Sequence, residues 1–177
     1  MNNLSFHITD ITANSIRANA SEIGLSVEEQ DTRIVIRITD NGLGMDAETA
    51  RRVTNPFYTT RTTRKVGLGL PFLIQNAEQT GGSVTLTSEP GKGTKVRAVF
   101  HSDHIDCPPW GDLPGTVALL ITGNPEINVC FEYRSGETGY SISTNEIKEI
   151  LDGVPLSHPK VMLLIKAVSY THLRAHE

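Results

Sequence analysis

Asp40-Asn41-Gly42-Leu43-Gly44-Met45 and Gly67-Leu68-Gly69-Leu70 are two glycine-rich blocks on either side of a Thr/Arg-rich segment. A helical stretch, Asp10-Ile11-Thr12-Ala13-Asn14, precedes both. A single glycine pair is only a turn in most chains. Three such pieces in this order describe a nucleotide site, with one part for a base, one for a metal and one for phosphates. Outward from the first block, Ile34, Ile36 and Ile38 alternate with Val35 and Arg37, which predicts a strand that delivers Asp40. Asp46 then caps a predicted short helix through about Arg52. Upstream, Leu4 to Ala20 reads as a helix, with Leu4, Ile8, Ile11 and Ala18 near one stripe that Ser15 interrupts. Asp10, Asn14 and Arg17, at i, i+4 and i+7, share its polar face.

Downstream, the segment from Asn55 to Val66 has little apolar content and reads as a loop. Leu70 to Glu78 predicts a helix, with Pro71 tolerated in its first turn and Gly81-Gly82 as its stop. Ser83–Glu89 and Thr94–Phe100, joined by Pro90-Gly91-Lys92-Gly93, predict an antiparallel hairpin. This order gives an α+β domain over residues 1–101. Pro108-Pro109-Trp110-Gly111-Asp112 marks a Pro-rich linker over 102–115. A small α/β appendage is expected over 116–166, with a short helix at Thr116–Thr122, strands at Asn128–Tyr133 and Tyr140–Ser143, and a capped helix at Asn145–Leu151. Residues 167–177 read like the translation of a transposon adapter used in sequencing libraries, and the fold reading sets them aside.

The chain has 177 residues and a net charge of −4, which argues against a nucleic-acid surface. No apolar run approaches the roughly 20 residues that span a bilayer. Cys107 and Cys130 lack CxxC spacing, so a reduced cytoplasmic location is expected. His101, Asp103, His104, Asp106 and Cys107 cluster in sequence but fit no closed zinc pattern. His7 reads as a packed or surface histidine rather than a phosphoacceptor.

These blocks resemble the GHKL superfamily, the ATP-binding fold of sensor histidine kinases, gyrase and mismatch-repair ATPases and anti-sigma kinases. The resemblance covers roughly Leu4 to Phe100. Asn55-Pro56-Phe57-Tyr58-Thr59-Thr60-Arg61 is close to the lid entry of histidine kinases, and stand-alone ATP-binding proteins of anaerobic bacteria are similar over the appendage too. The implied fold is a two-layer α/β sandwich of the histidine-kinase-like (Bergerat) type. The implied ligands are ATP and Mg²⁺. By position, the resemblance assigns nucleotide contacts to Asn14, Asp40, Gly42, Gly44, Thr59, Thr60, Arg61, Lys65, Gly67, Leu68, Gly69, Leu70 and Thr94.

The residue chemistry agrees with those assignments. Asn14 offers a hard, neutral oxygen suited to Mg²⁺, and the family carries its magnesium asparagine there. Asn41 and Asn55 match no motif role. Asp40 can accept the exocyclic amine of adenine and reject guanine, whose carbonyl would face it unpaired. Gly42 and Gly44 let backbone approach the base. Gly67 and Gly69, before a helix start, make a phosphate cradle. It is neither a Rossmann fingerprint nor a Walker A loop, lacking the preceding strand and the Lys-Ser/Thr ending. Arg61, Arg64 and Lys65 add charge near the γ-phosphate, and Thr94 matches the position that supports the adenine pocket. Asp10 stands where hydrolytic members place a glutamate base. It acts either as a catalytic base or only as an orienter of the Mg²⁺ shell.

An upstream dimerising hairpin with an acceptor histidine, as in a complete sensor kinase, is not expected before Leu4. Three readings follow. The first is a stand-alone kinase module in signal transduction, passing phosphate to an unidentified protein partner or phosphoacceptor. The second is an ATP-gated protein-binding module. The third is a slow ATPase with Asp10 as base. No nucleic acid or membrane is expected as a partner, and a homodimer is compatible with each reading.

Overall fold

The computed structural model describes residues 3–55 and 69–174, with side chains described through residue 170. Helix α1 spans Leu4–Arg17, β1 Glu22–Gln30, β2 Arg33–Asp40, α2 Ala47–Thr54, α3 Gly69–Gln79, β3 Ser83–Glu89 and β4 Gly93–His101. The second half holds α4 at Leu113–Thr122, β5 at Asn128–Ser135, β6 at Thr138–Ser143, α5 at Thr144–Leu151 and α6 at Pro159–Arg174. The six strands form one mixed sheet in the order β3-β4-β2-β1-β5-β6. Every neighbouring pair is antiparallel except β1 with β5.

Period-two alternation decides which face each strand buries. Ile34, Ile36 and Ile38 of β2 and Val96, Ala98 and Phe100 of β4 point into the core, which α1, α3 and α4 cover. Arg37 points the other way and pairs with Glu28 at 3.5 Å on the half-exposed face. The result is two layers, helices on one side and a solvated sheet surface on the other. Leu4, Ile8 and Ile11 of α1 are at most 3% exposed, and each adds roughly 1.5–3 kcal/mol by burial.

β1 goes unassigned from sequence. Ile23, Leu25 and Val27 alternate, but Gly24 and the polar run Glu28-Glu29-Gln30 dilute the pattern. The strand exists because β2 pairs with Ile23–Gln30 on one side and β5 with Glu22–Glu29 on the other. The segment 116–166 therefore extends the same sheet, and a single apolar cluster runs from Leu4 through Phe131 to Ile165. Within 102–115, Pro109 and Trp110 close the N-terminus of α1. Leu4 N–H donates to the Pro109 carbonyl (2.9 Å) and Ser5 N–H to that of Trp110 (3.0 Å). The Asn3 side chain accepts from Phe6 N–H, so the free N–H groups of Leu4, Ser5 and Phe6 in the first turn are met. Helix α6 runs without a break through the 166/167 boundary, and its Ser169 is fully buried. No described helix is long and apolar enough to cross a membrane.

Candidate functional site

The inward face of α1, the ends of β2 and β4 and the start of α3 enclose a cavity of about 230 Å³. Its walls are apolar, from Ile11, Ile38, Met45, Val53, Leu70 and Val96, with Asn14, Ser15, Arg17, Asp40 and Thr94 as the polar lining. Asp40 arrives there because it is the last residue of β2, directly opposite Thr94 of β4. Its Oδ2 accepts from the Ser15 hydroxyl at 2.6 Å, and its Oδ1 accepts from Gly42 N–H at 2.9 Å. A carboxylate oxygen has two lone pairs, so both oxygens keep acceptor capacity toward the cavity.

The first glycine block is held by backbone. Leu43 N–H donates to the Ala18 carbonyl, and Gly91 N–H donates to that of Leu43. Gly44 has φ +70°, and a Cβ there would collide with the Glu89 carbonyl, so both conformation and space demand glycine. Asn41 turns away from the cavity, and its Oδ1 accepts from Ser21 and Glu22 N–H and fixes the turn into β1. Asp46 caps α2 by accepting from Thr49 N–H, an interaction that lowers its pKa.

Midway along α1, Asp10 lies beside Gly69, the first residue of α3. A Cβ on Gly69 would sit 3.3 Å from the Asp10 Cβ. Desolvation raises the Asp10 pKa, and the Arg17 charge opposes that shift. Arg17 Nη2 donates to Asn14 Oδ1 at 2.6 Å. The amide oxygen keeps a second lone pair, so a hard oxygen and a carboxylate one helical turn apart fit a magnesium ion.

The structure thus brings Asn14, Asp40, Gly44, Leu70 and Thr94 into the lining of one cleft, with Gly42 bonded to Asp40 and Asp10 set beside Gly69. Thr59, Thr60, Arg61, Arg64, Lys65, Gly67 and Leu68 lie outside the described residues. Two contributors escape the sequence motifs. Ser15 is 2% exposed and bonded to Asp40; its signal is the polar break in the apolar stripe of α1. Ser88 bonds to Met45 N–H and Thr94 and carries no motif signal.

The other sequence candidates resolve differently. No set of three His, Cys, Asp or Glu side chains could hold a metal among the described residues; near Cys107, His104 Nδ1 simply accepts from Asp106 N–H. His7 is 1% exposed, packed on Phe72 and Phe100, with Nε2 bonded to Asn76 Nδ2 at 2.7 Å. It is a core residue.

Residues 3–104 match the family described as histidine kinase-, DNA gyrase B-, and HSP90-like ATPase. The chain belongs to this ATPase family. Among curated relatives, this ATPase domain is 29% identical over 104 residues to the sensor histidine kinase YxdK of Bacillus subtilis (strain 168), covering 55% of the chain and 32% of the kinase. It is 40% identical over 73 residues to sporulation kinase E of the same organism, covering 41% of the chain and 9% of that protein. A match to the signal transduction histidine-protein kinase AfsQ2 of Streptomyces coelicolor (strain ATCC BAA-471 / A3(2) / M145) is 31% identical over 90 residues, 49% of the chain and 17% of the kinase. The chain spans less than a third of the length of each of these relatives. A solved structure titled as the N-terminal domain of a DNA repair protein superposes with a TM-score of 0.58 at 16% identity, over 80% of this chain and 51% of that one. That likeness shows the fold alone. Family membership makes this an ATP-binding, kinase-like domain of α+β architecture.

Proposed function

We propose that the domain binds Mg·ATP along the α1–β2–β4 cleft and acts as a kinase module, passing the γ-phosphate to a separate protein. The observation that carries this reading is Asp40, anchored by Ser15 and Gly42 yet open to an apolar cavity. Apolar walls suit the faces of a purine, and an anchored carboxylate at the end suits an exocyclic amine. At the far end, Asn14 would hold the magnesium, which neutralises phosphate charge when bound. The start of α3 at Gly69 offers backbone N–H groups to the phosphates. Arg17, close to Asn14, adds positive charge at the same end.

A second reading is slow hydrolysis with Asp10 as general base, and one observation favours it. Burial raises the Asp10 pKa and so strengthens it as a base toward an attacking water.

The test is calorimetric titration with non-hydrolysable ATP and GTP analogues, with and without Mg²⁺. Magnesium-dependent binding that excludes the guanine analogue supports the proposal; no binding of either overturns it. Incubation with γ-labelled ATP then separates the reactions. Label on a protein supports the kinase reading, phosphate release without a partner supports the Asp10 hydrolase, and neither points to an ATP-gated binding module.

A further inference from the structure

Ser88 sits at the end of β3, one hairpin away from the cavity and not in its lining. Its hydroxyl nevertheless has three partners: Met45 N–H (2.8 Å), the Gly93 carbonyl (3.1 Å) and the Thr94 hydroxyl (2.8 Å). A hydroxyl has one proton and two lone pairs. Met45 N–H is a donor, so it takes one Ser88 lone pair. The Gly93 carbonyl is an acceptor, so it takes the Ser88 proton. The remaining contact, with Thr94, is then satisfied only if Thr94 donates its own proton to Ser88. All three contacts are met in this one arrangement.

From this we infer that Ser88 is a positioning residue that sets the base preference of the site, by fixing the Thr94 hydroxyl as a pure acceptor toward the cavity. With its proton committed to Ser88, Thr94 Oγ1 has only lone pairs to offer. Thr94 stands opposite Asp40 on the neighbouring strand, and both line the cavity. The two side chains then form one all-acceptor edge, which recognises a donor-rich group such as an amine and repels a carbonyl. If Ser88 lost its hydroxyl, Thr94 could turn its proton inward and tolerate an acceptor. The same hydroxyl ties Met45, at the end of the first glycine block, to the β3–β4 hairpin. This inference rests on the reading of Asp40 as the base-recognition carboxylate.

Ser88→Thr and Ser88→Val test it, because they share volume and shape and differ in the hydroxyl. Kd values are measured by calorimetry for the non-hydrolysable ATP analogue and its 6-deamino purine counterpart, with circular dichroism confirming the fold. The Thr variant should keep the wild-type ratio between the two nucleotides. The Val variant should weaken the ATP analogue about tenfold, the size of one hydrogen bond, and shrink the ratio by a similar factor. Equal weakening of both nucleotides by Val, or no change in either, overturns the role of Ser88. Asp40→Asn keeps the two levels apart. If it leaves the ratio unchanged, the base-recognition reading falls and takes the Ser88 inference with it. If it collapses the ratio while Val does not, only the Ser88 inference falls.

Discussion

Asp40 and Glu29 are carboxylates at opposite ends of the same β1–β2 ladder, Asp40 opposite Ile23 and Glu29 opposite Ile34. Each has a donor on both oxygens. Glu29 takes the Trp110 indole N–H on Oε1 and the Tyr133 hydroxyl on Oε2, both at 2.6 Å. Those donors ride on large aromatic rings, and Glu29, half-buried like Asp40, is thereby a strut between the linker, β1 and β5. The donors to Asp40 are a serine hydroxyl and a backbone N–H, small groups that leave one side of the carboxylate facing a cavity. On the proposed reading Asp40 recognises a base while Glu29 braces the fold, and the two differ in the bulk of their donors rather than in their place on a strand.

The largest expected effect breaks the open end. Asp40→Asn should cost the ATP analogue about a hundredfold or more in affinity, since an amide N–H₂ would face the incoming amine. Its melting temperature should stay within a few degrees of wild type. Unchanged affinity on calorimetry would erase the distinction between the two acids.

His7 adds a buried polar group that is only partly met, with no hydrogen-bond partner for Nδ1 among the described residues. Burial lowers its pKa from 6.5 to about 4, so the native state holds it neutral. The unfolded chain takes up the proton first as pH falls. The stability tied to neutral His7 is therefore full above about pH 6.5 and lost as pH drops toward 4. Urea titrations should show about 2 kcal/mol lost between pH 7 and pH 5 through this residue. His7→Gln should remove that share of the slope; an identical slope in the variant would mean that other groups produce it.

Glu29→Gln attacks the braced end. One aromatic donor would then face an amide N–H₂, at a cost of roughly 1–2 kcal/mol, or about 3–6 °C in a thermal melt. ATP-analogue affinity should move less than about twofold. A large affinity loss with an unchanged melt would invert the comparison.

An effect of similar size is expected at Asn14. Asn14→Asp places a carboxylate beside Arg17, and the tighter ion pair competes with the metal. Magnesium should then enhance nucleotide binding about tenfold less than in wild type. Retention of the full magnesium response would argue against Asn14 as the ligand.

Most local features are legible in the residues themselves. The hairpin β3–β4, helix α3 and the Asp46 cap follow from alternation, glycine stops and a side chain that meets a free N–H. Within the site, Asn14, Asp40, Gly42 and Gly44 stand out because their spacing is itself the motif. Ser15 reads only as a flaw in an apolar stripe, and Ser88 as an ordinary strand serine. Nothing local says that a carboxylate or a hydroxyl elsewhere in the chain will meet them. Strand β1 escapes for a related reason, its alternation being diluted by Gly24 and a polar end.

The sequence alone therefore determined where most elements lie, where the chain must turn through glycine, and which family it joins. Those are local matters, set by side-chain period and by backbone conformations that few residues tolerate. Only the tertiary structure decided that β5 joins β1 in parallel to make one sheet across both halves. It alone decided that Ser15 anchors Asp40 from 25 residues away, and that Trp110 and Tyr133 reach back 81 and 104 residues to hydrogen-bond Glu29. A hydrogen bond between distant segments depends on how packed elements lie against one another, and no short-range propensity encodes that placement.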